Sequence, residues 1–324
     1  MTDTPTHHGA TDLRAGEPTP ERFGNPALKL LAATRPAFLS VTAVGAALGL
    51  GSAWHDLGSV EALPALLTVT FALVAHAGVN VVNDYYDHLS GADAVNVDRI
   101  YPFTGGSRFI QNGVLSARQT AWLGYALLAS VIPAGLLLTA WSGPGLVVIG
   151  VAGLLIGWAY SAPPLELNSR GLGELCVGAG FLLVVVGADY VQRHGFDSTP
   201  LAAGLSYALF VTNVLFINQF PDRLADLRAG KLHWVARLEP RTARWGYLLI
   251  ALAAGSVTLS GVARTCLPAA ALVSLLAWIP AGFAARDLLR YADSPARLAP
   301  AIKATIAAAL VHGALMTAAL ILAR

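Results

Sequence analysis

Charge is what this sequence has least of. Only 12% of its 324 residues are Asp, Glu, Lys or Arg, against about a quarter in an average soluble domain, and so low a share excludes an ordinary water-soluble globule. The charges are not skewed to one sign either. Lys and Arg number 21, Asp and Glu 19, for a net +2, which leaves no basic footprint for nucleic acid. Cysteine is nearly absent. Cys176 and Cys266 lie in or beside apolar stretches on opposite halves of the chain without metal-ligand spacing, so a disulfide framework is excluded and packing is their expected role. Residues 1–25 are polar and lack an apolar run after their basic side chains. They read as a disordered tail rather than a cleaved signal peptide.

What the chain has in abundance is hydrophobic side chains, 55% of the total. Apolar windows suited to a hydrocarbon core of about 30 Å fall at 36–54, 62–82, 119–141, 144–160, 171–191, 200–220, 245–263, 267–285 and 302–322. The expected fold is therefore all-α: a polytopic membrane protein with nine transmembrane helices bundled around a central cavity, forming one domain over 26–324. With a cytoplasmic N-terminus, 18 of the 21 basic residues fall on the cytoplasmic side, and only Arg193, Arg264 and Arg324 fall outside. An error in helix number would scramble that bias, so it predicts both the count and the orientation.

Two acidic stripes end apolar windows. Asn83, Asp84, Asp87 and Asp93 follow the second, and Asn218, Asp222 and Asp226 follow the sixth. Residues four apart share a helix face, so Asn83 stacks with Asp87, and Asn218, Asp222 and Asp226 make a column. Like charges at that spacing repel, and carboxylates near lipid are costly to bury unpaired. Both stripes are thus expected to face divalent cations such as Mg²⁺, which takes few carboxylates and usually the oxygens of a substrate phosphate. The offset of 135 residues between Asp87 and Asp222, with four helices per half, suggests a parallel duplication with a ninth helix appended. Helix-end and turn roles are the bland alternative for one such motif alone.

Further motifs lie on the same side. Tyr101-Pro102-Phe103-Thr104-Gly105-Gly106-Ser107-Arg108 follows the first stripe, Tyr160-Ser161-Ala162-Pro163-Pro164 and Arg170-Gly171-Leu172-Gly173-Glu174 come next, and Ala229-Gly230-Lys231 follows the second stripe. Glycines allow close backbone approach and amides can cradle an anion. That makes Arg108, beside the Gly-Gly pair, a candidate phosphate ligand. Lys231 is another candidate, and a plain interfacial lysine is its alternative. Tyr160 is either an acceptor-pocket wall or part of an aromatic belt. His76 and His312 read as core histidines.

This ordered set resembles the UbiA superfamily of intramembrane prenyltransferases, most closely the branch containing 1,4-dihydroxy-2-naphthoate prenyltransferases of menaquinone synthesis; Arg35-Pro36 also fits that branch. The resemblance spans about residues 30–240. It implies a polyprenyltransferase in which Asn83 and Asp87 coordinate one Mg²⁺ with Asp84 and Asp93 nearby, while Asn218, Asp222 and Asp226 serve a second. It further implies a polyprenyl diphosphate donor, an aromatic acceptor, surrounding membrane lipid, no nucleic acid, and a multi-pass protein of the bacterial cytoplasmic (inner) membrane with its active site facing the cytoplasm. After Gly230-Lys231 the family pattern expects another basic residue and Thr, whereas this chain has Leu232-His233-Trp234.

Other functions remain open at this point. A transporter would place its binding groups near the midplane in broken helices, whereas these carboxylates cluster at helix ends. The DG-x-x-AR run of CDP-alcohol phosphotransferases is absent from both stripes. Prenyl transfer to 4-hydroxybenzoate, haem, chlorophyllide or glycerophosphate, and terpene cyclisation, stay possible within the family.

Overall fold

The computed structural model describes residues 13–324. Its long elements are α1 (Pro26–Ala33), α2 (Pro36–Leu57), α3 (Ala62–Ser90), α4 (Ala117–Ser142), α5 (Gly145–Ser161), α6 (Gly173–Arg193), α7 (Ser198–Arg228), the single turn α8 (Trp234–Arg237), α9 (Pro240–Ala263), α10 (Trp278–Tyr291) and α11 (Ala299–Leu322). A 3₁₀ segment, Ala269–Ala277, runs directly into α10. All described regular structure is helical, as composition and periodicity predict.

Local chemistry sets the ends. Asn25 caps α1 by accepting from Ala27 N at 2.8 Å, and Ser116 with Gln119 forms a reciprocal capping box on α4, which satisfies otherwise orphaned amides. Pro36 and Pro240 open their helices, where a missing N–H costs nothing. Gly58 and Gly91 close α2 and α3 in the left-handed conformation that only glycine adopts freely.

Eight helical stretches among the described residues are long and apolar enough to cross a membrane. The count falls short of nine because α5 has 17 residues, a length of about 25 Å against a core of about 30 Å. The other difference lies in length. Helix α3 continues to Ser90 and α7 to Arg228, so Asn83, Asp84, Asp87, Asp222 and Asp226 sit on helical extensions past the apolar windows, while Asp93 lies on the loop beyond α3.

Helix α7 is the hub, with 72% of its apolar window buried. Its Tyr207, Phe210, Val211 and Val214 pack in one core cluster with Val41 and Leu48 of α2, Val185 of α6, Ala254 of α9 and Met316 and Leu320 of α11. Small residues permit this. A Cβ on Gly49 of α2 would stand 2.2 Å from the Val185 carbonyl oxygen, so the backbones of α2 and α6 meet through a glycine, as helices do where apolar burial alone cannot drive association. A polar knot within the core joins Ser206 of α7, Thr258 of α9 and His312 of α11 at 2.7 and 2.9 Å, and the other ring nitrogen of His312 reaches the Ser274 carbonyl at 3.3 Å. His312 is thus a satisfied core histidine.

Between α3 and α4 the chain folds over one end of the bundle, the end at which both stripes lie. Residues 1–12 of the expected disordered tail lie outside the described residues. The remainder is fastened at a few points rather than free: Glu17 and Pro18 are buried, and Glu17 forms a 2.6 Å ion pair with Arg99. A polar composition suggested disorder there, because the partners that order the segment lie more than 80 residues away in sequence.

Candidate active site

Helices α3 and α7 bring their stripes together around a cavity of about 320 Å³. Asn83, Asp87 and Asp93 line it from one side, and Asn218, Asp222 and Asp226 from the other. Asn83 donates to Asp87 Oδ2 at 3.2 Å and to Ser161 Oγ of α5 at 2.9 Å, which ties the first stripe to the third wall. Tyr160 lines the same cavity, beside His76, Phe38 and Phe181. His76 is not purely a core residue: it bonds Thr42 Oγ1 at 2.7 Å and faces the cavity.

Lys231 lies between the stripes. Its ammonium is 2.6 Å from Asp87 Oδ1 and 3.6 Å from Asp226 Oδ1. Burial by itself would lower its pKa, but the Asp87 and Asp226 carboxylates reverse that and hold it well above the ordinary lysine value. His233, the departure from the family pattern, bonds Asp226 Oδ2 at 3.0 Å through Nε2 and caps α8 through Nδ1. A residue that looked like a defect in the motif is a carboxylate partner.

The loop after α3 supplies the roof. Asn96 donates to Asp222 Oδ1 at 2.6 Å, and the Gly105 amide donates to Asp222 Oδ2 at 3.3 Å. The Ser107 amide donates to Asp84 Oδ1 at 3.2 Å. Gly106 has φ +70°, and a Cβ there would stand 2.5 Å from Asp93 Oδ2, so the Gly-Gly pair does approach anionic oxygens closely. Those oxygens are the protein's own carboxylates. Burial, then Asp87 and Asp84, push the Asp93 carboxyl well up from the usual range.

Two expected site residues do not line the cavity. Asp84 is 3% exposed and engaged by the Ser107 amide. Arg108 is 1% exposed and donates to the Asp93 carbonyl, so it clamps the loop from behind instead of reaching into the cavity. Asp84 is on α3 one residue past Asn83 and so points off the face that Asn83 and Asp87 share, whereas Arg108 lies on the loop, where the neighbouring Gly-Gly pair does not fix its direction. Asn96, Gln219 and Asn168, which also line the cavity, carried no sequence signal beyond being polar.

A second cavity, about 490 Å³ and almost wholly apolar, runs between α3, α4, α5 and α6 and shares His76, Tyr160, Val177 and Phe181 with the first. The whole is therefore a helical membrane protein whose carboxylate-walled chamber at one end of the bundle shares part of its wall with a hydrocarbon-lined one.

A family model described as the UbiA prenyltransferase family matches residues 38–305, and the chain belongs to that family. Among relatives, the 1,4-dihydroxy-2-naphthoate octaprenyltransferase of Mycobacterium tuberculosis is 31% identical over 197 residues, covering 60% of this chain and 64% of that protein. The enzyme of the same description from Haemophilus influenzae is 28% identical over 257 residues, 76% of each chain. A 2-carboxy-1,4-naphthoquinone phytyltransferase of Synechocystis is 29% identical over 64% of this chain and 65% of its own. The fold is shared with a UbiA homolog from Archaeoglobus fulgidus bound to DMAPP and Mg²⁺, at a TM-score of 0.56 and 15% identity over 89% of this chain and 99% of that one.

Proposed function

We propose that the protein transfers a polyprenyl group from its diphosphate to an aromatic acceptor, 1,4-dihydroxy-2-naphthoate in menaquinone synthesis, in the bacterial cytoplasmic membrane with its site facing the cytoplasm. The observation that carries this reading is the junction of the two cavities at His76, Tyr160, Val177 and Phe181. A substrate with a multiply charged head and a long hydrocarbon tail fits such a junction; a small polar solute does not need the apolar chamber. The naphthoate acceptor is supported by the named activities of relatives at 28–31% identity. Counting the short α5 as a ninth crossing puts 18 of the 21 basic residues on the cytoplasmic side, which supports the proposed orientation.

The donor set suits Mg²⁺. Among the described residues no three carboxylate, imidazole or thiol groups cluster as a closed metal site, and Mg²⁺ characteristically takes one or two carboxylates and completes its shell with water and substrate phosphate. The buried Oδ1 of Asn218 has no hydrogen-bond partner, and the Lys231 ammonium already marks where positive charge is held between the stripes. Asn83, Asp87, Asn218, Asp222 and Asp226 would hold the metal, with Asp93 beside them. When bound, Mg²⁺ neutralises the charge that develops on the departing diphosphate.

The chain's own residues do the rest. Lys231 binds diphosphate oxygens, its loop position letting the ammonium exchange carboxylate partners for phosphate ones. Asn96 and the Gly105 amide keep Asp222 aimed inward. Tyr160, Phe181 and Phe38 wall the allylic carbon off from water, which would otherwise capture the cation, and hold the acceptor ring against it. The C–O bond to diphosphate breaks, a bond from the allylic carbon to a ring carbon forms, and the proton or carboxyl group (as CO₂) displaced from that carbon leaves.

The deciding experiment incubates membranes containing the protein with Mg²⁺, prenyl diphosphates of several lengths and a panel of aromatic acids, and identifies products by mass. Prenylated naphthoquinol is the expected product. A product with 4-hydroxybenzoate alone would move the protein to another branch, and no product with any donor would overturn the reading.

A further inference from the structure

We propose that residues 13–25 are a strap that positions Asp222 through a relay of buried side chains, with Glu17 as its positioning residue. The relay can be followed atom by atom. Glu17 Oε1 accepts from Arg99 Nε at 2.6 Å, Arg99 Nη1 donates to the Asn96 carbonyl at 2.8 Å, and Asn96 Nδ2 donates to Asp222 Oδ1 at 2.6 Å. Glu17, Arg99 and Asn96 are all 4% exposed or less. The strap is fastened along its length: Asn112 Nδ2 donates to the Pro18 carbonyl at 2.9 Å and to Glu17 Oε2 at 3.3 Å, Arg14 Nη1 donates to the Arg99 carbonyl at 2.7 Å, and Arg22 holds the Glu17 carbonyl at 3.1 Å. Among the described residues its long-range polar contacts fall on residues 97–112, part of the connection between α3 and α4 whose inner side carries Asn96 and Gly105.

The physical case rests on geometry rather than on stability. Burying a carboxylate and a guanidinium is expensive, and replacing such a pair with apolar side chains is often neutral or stabilising. What the pair supplies here is a fixed outer anchor for a loop with little regular structure. Asp222 needs such an anchor. It stands one turn from Asp226 on α7, so like charge drives the two apart, and the Asn96 amide, the Thr104 hydroxyl and the Gly105 N–H, all on the loop that the strap fastens, hold its carboxylate toward the cavity. Glu17 lies outside the family match, which begins at residue 38.

The effect on the donor rests on the prenyltransferase reading; the effect on the loop does not, and the test separates them. Hydrogen exchange of the full-length purified protein, followed by mass spectrometry, should show amides of residues 93–107 exchanging about tenfold faster or more in Glu17→Ala than in the parent, because a buried charge-assisted bond is lost. Amides of α9 and α11 should be unchanged. In the same variant, KM for geranylgeranyl diphosphate and the half-saturating Mg²⁺ concentration should each rise about tenfold while kcat falls less than about threefold, since saturating metal and donor restore the orientation that the strap otherwise supplies in advance. Glu17→Gln should fall between parent and Ala in both readouts, and Asn112→Ala, which loosens the strap from its other side, should move them in the same direction. Unchanged exchange over 93–107 overturns the strap. Faster exchange with unchanged donor KM overturns the relay to Asp222. A parent protein that neither binds nor turns over prenyl diphosphates defeats the functional reading, and the exchange at Gly105, whose amide meets Asp222, then decides the strap alone.

Discussion

Lys231 serves two states with one side chain. In the structure its ammonium neutralises Asp87 and Asp226, and in the proposed reaction it turns to the diphosphate. A cation already in place competes with a metal for the same carboxylates. Lys231→Met should therefore have opposite effects on two measurements: prenyl transfer falls about 10²-fold, the scale of losing one positioned charge at a transition state, while Mn²⁺ binding without donor becomes tighter. Weaker metal binding in that variant would mean that Lys231 supports the metal site and does not compete for it. Asp87→Ala and Asp222→Ala strip carboxylates from different helices, and each should abolish transfer while membrane insertion stays intact; near-normal turnover in either would show the site to be misassigned. The stripes were legible because helical spacing converts sequence directly into a shared face. Asp84 and Arg108 fall outside the cavity lining: Asp84 accepts from the Ser107 amide, and Arg108, expected there because of the neighbouring Gly-Gly pair, lies on a loop, where spacing says nothing of direction.

At the scale of elements, apolar windows located every long helix to within a few residues, except where α3 and α7 run on as polar extensions. A hydropathy window ends at the first charges, whereas the helix continues as long as its backbone bonds and packing are supplied. The loop over residues 92–116 and the strap had no such signature, because they are held by contacts distant in sequence. Two glycines test how tightly these elements are fitted. Gly49→Ala puts a methyl group against the rigid Val185 carbonyl, so α2 and α6 must separate, at a cost of about 1–3 kcal/mol. The thermal transition of the detergent-solubilised protein should fall. Gly106→Ala adds left-handed strain to a clash with Asp93 Oδ2, together about 1–3 kcal/mol, and should lower donor affinity more than it lowers the transition temperature, because the strained loop forms the cavity's roof.

Across the whole molecule, most of the charges sort to one end of the bundle, the end that holds the candidate site, and the same sorting underlies the proposed orientation. Cysteines at exposed positions near Gly91 and Gly230 should resist an impermeant reagent on intact cells, and cysteines at exposed positions near Ser142 and Gly195 should react; the reverse would invert the proposed topology. The same sorting makes metal and donor interdependent. Asp87, Asp93, Asp222 and Asp226 line one chamber with Lys231 as the opposing ammonium, so a free diphosphate would meet several carboxylates in a space partly shielded from water, where charges a few ångströms apart interact more strongly than in bulk. A divalent metal held by those carboxylates would reverse that local potential and so admit the phosphate groups. Donor binding by the solubilised protein, measured with EDTA and then with millimolar Mg²⁺, should be undetectable in the first case and restored in the second. Equal affinity in both would rule out a metal-bridged diphosphate, reduce the two stripes to helix-end residues, and favour a transporter over an enzyme.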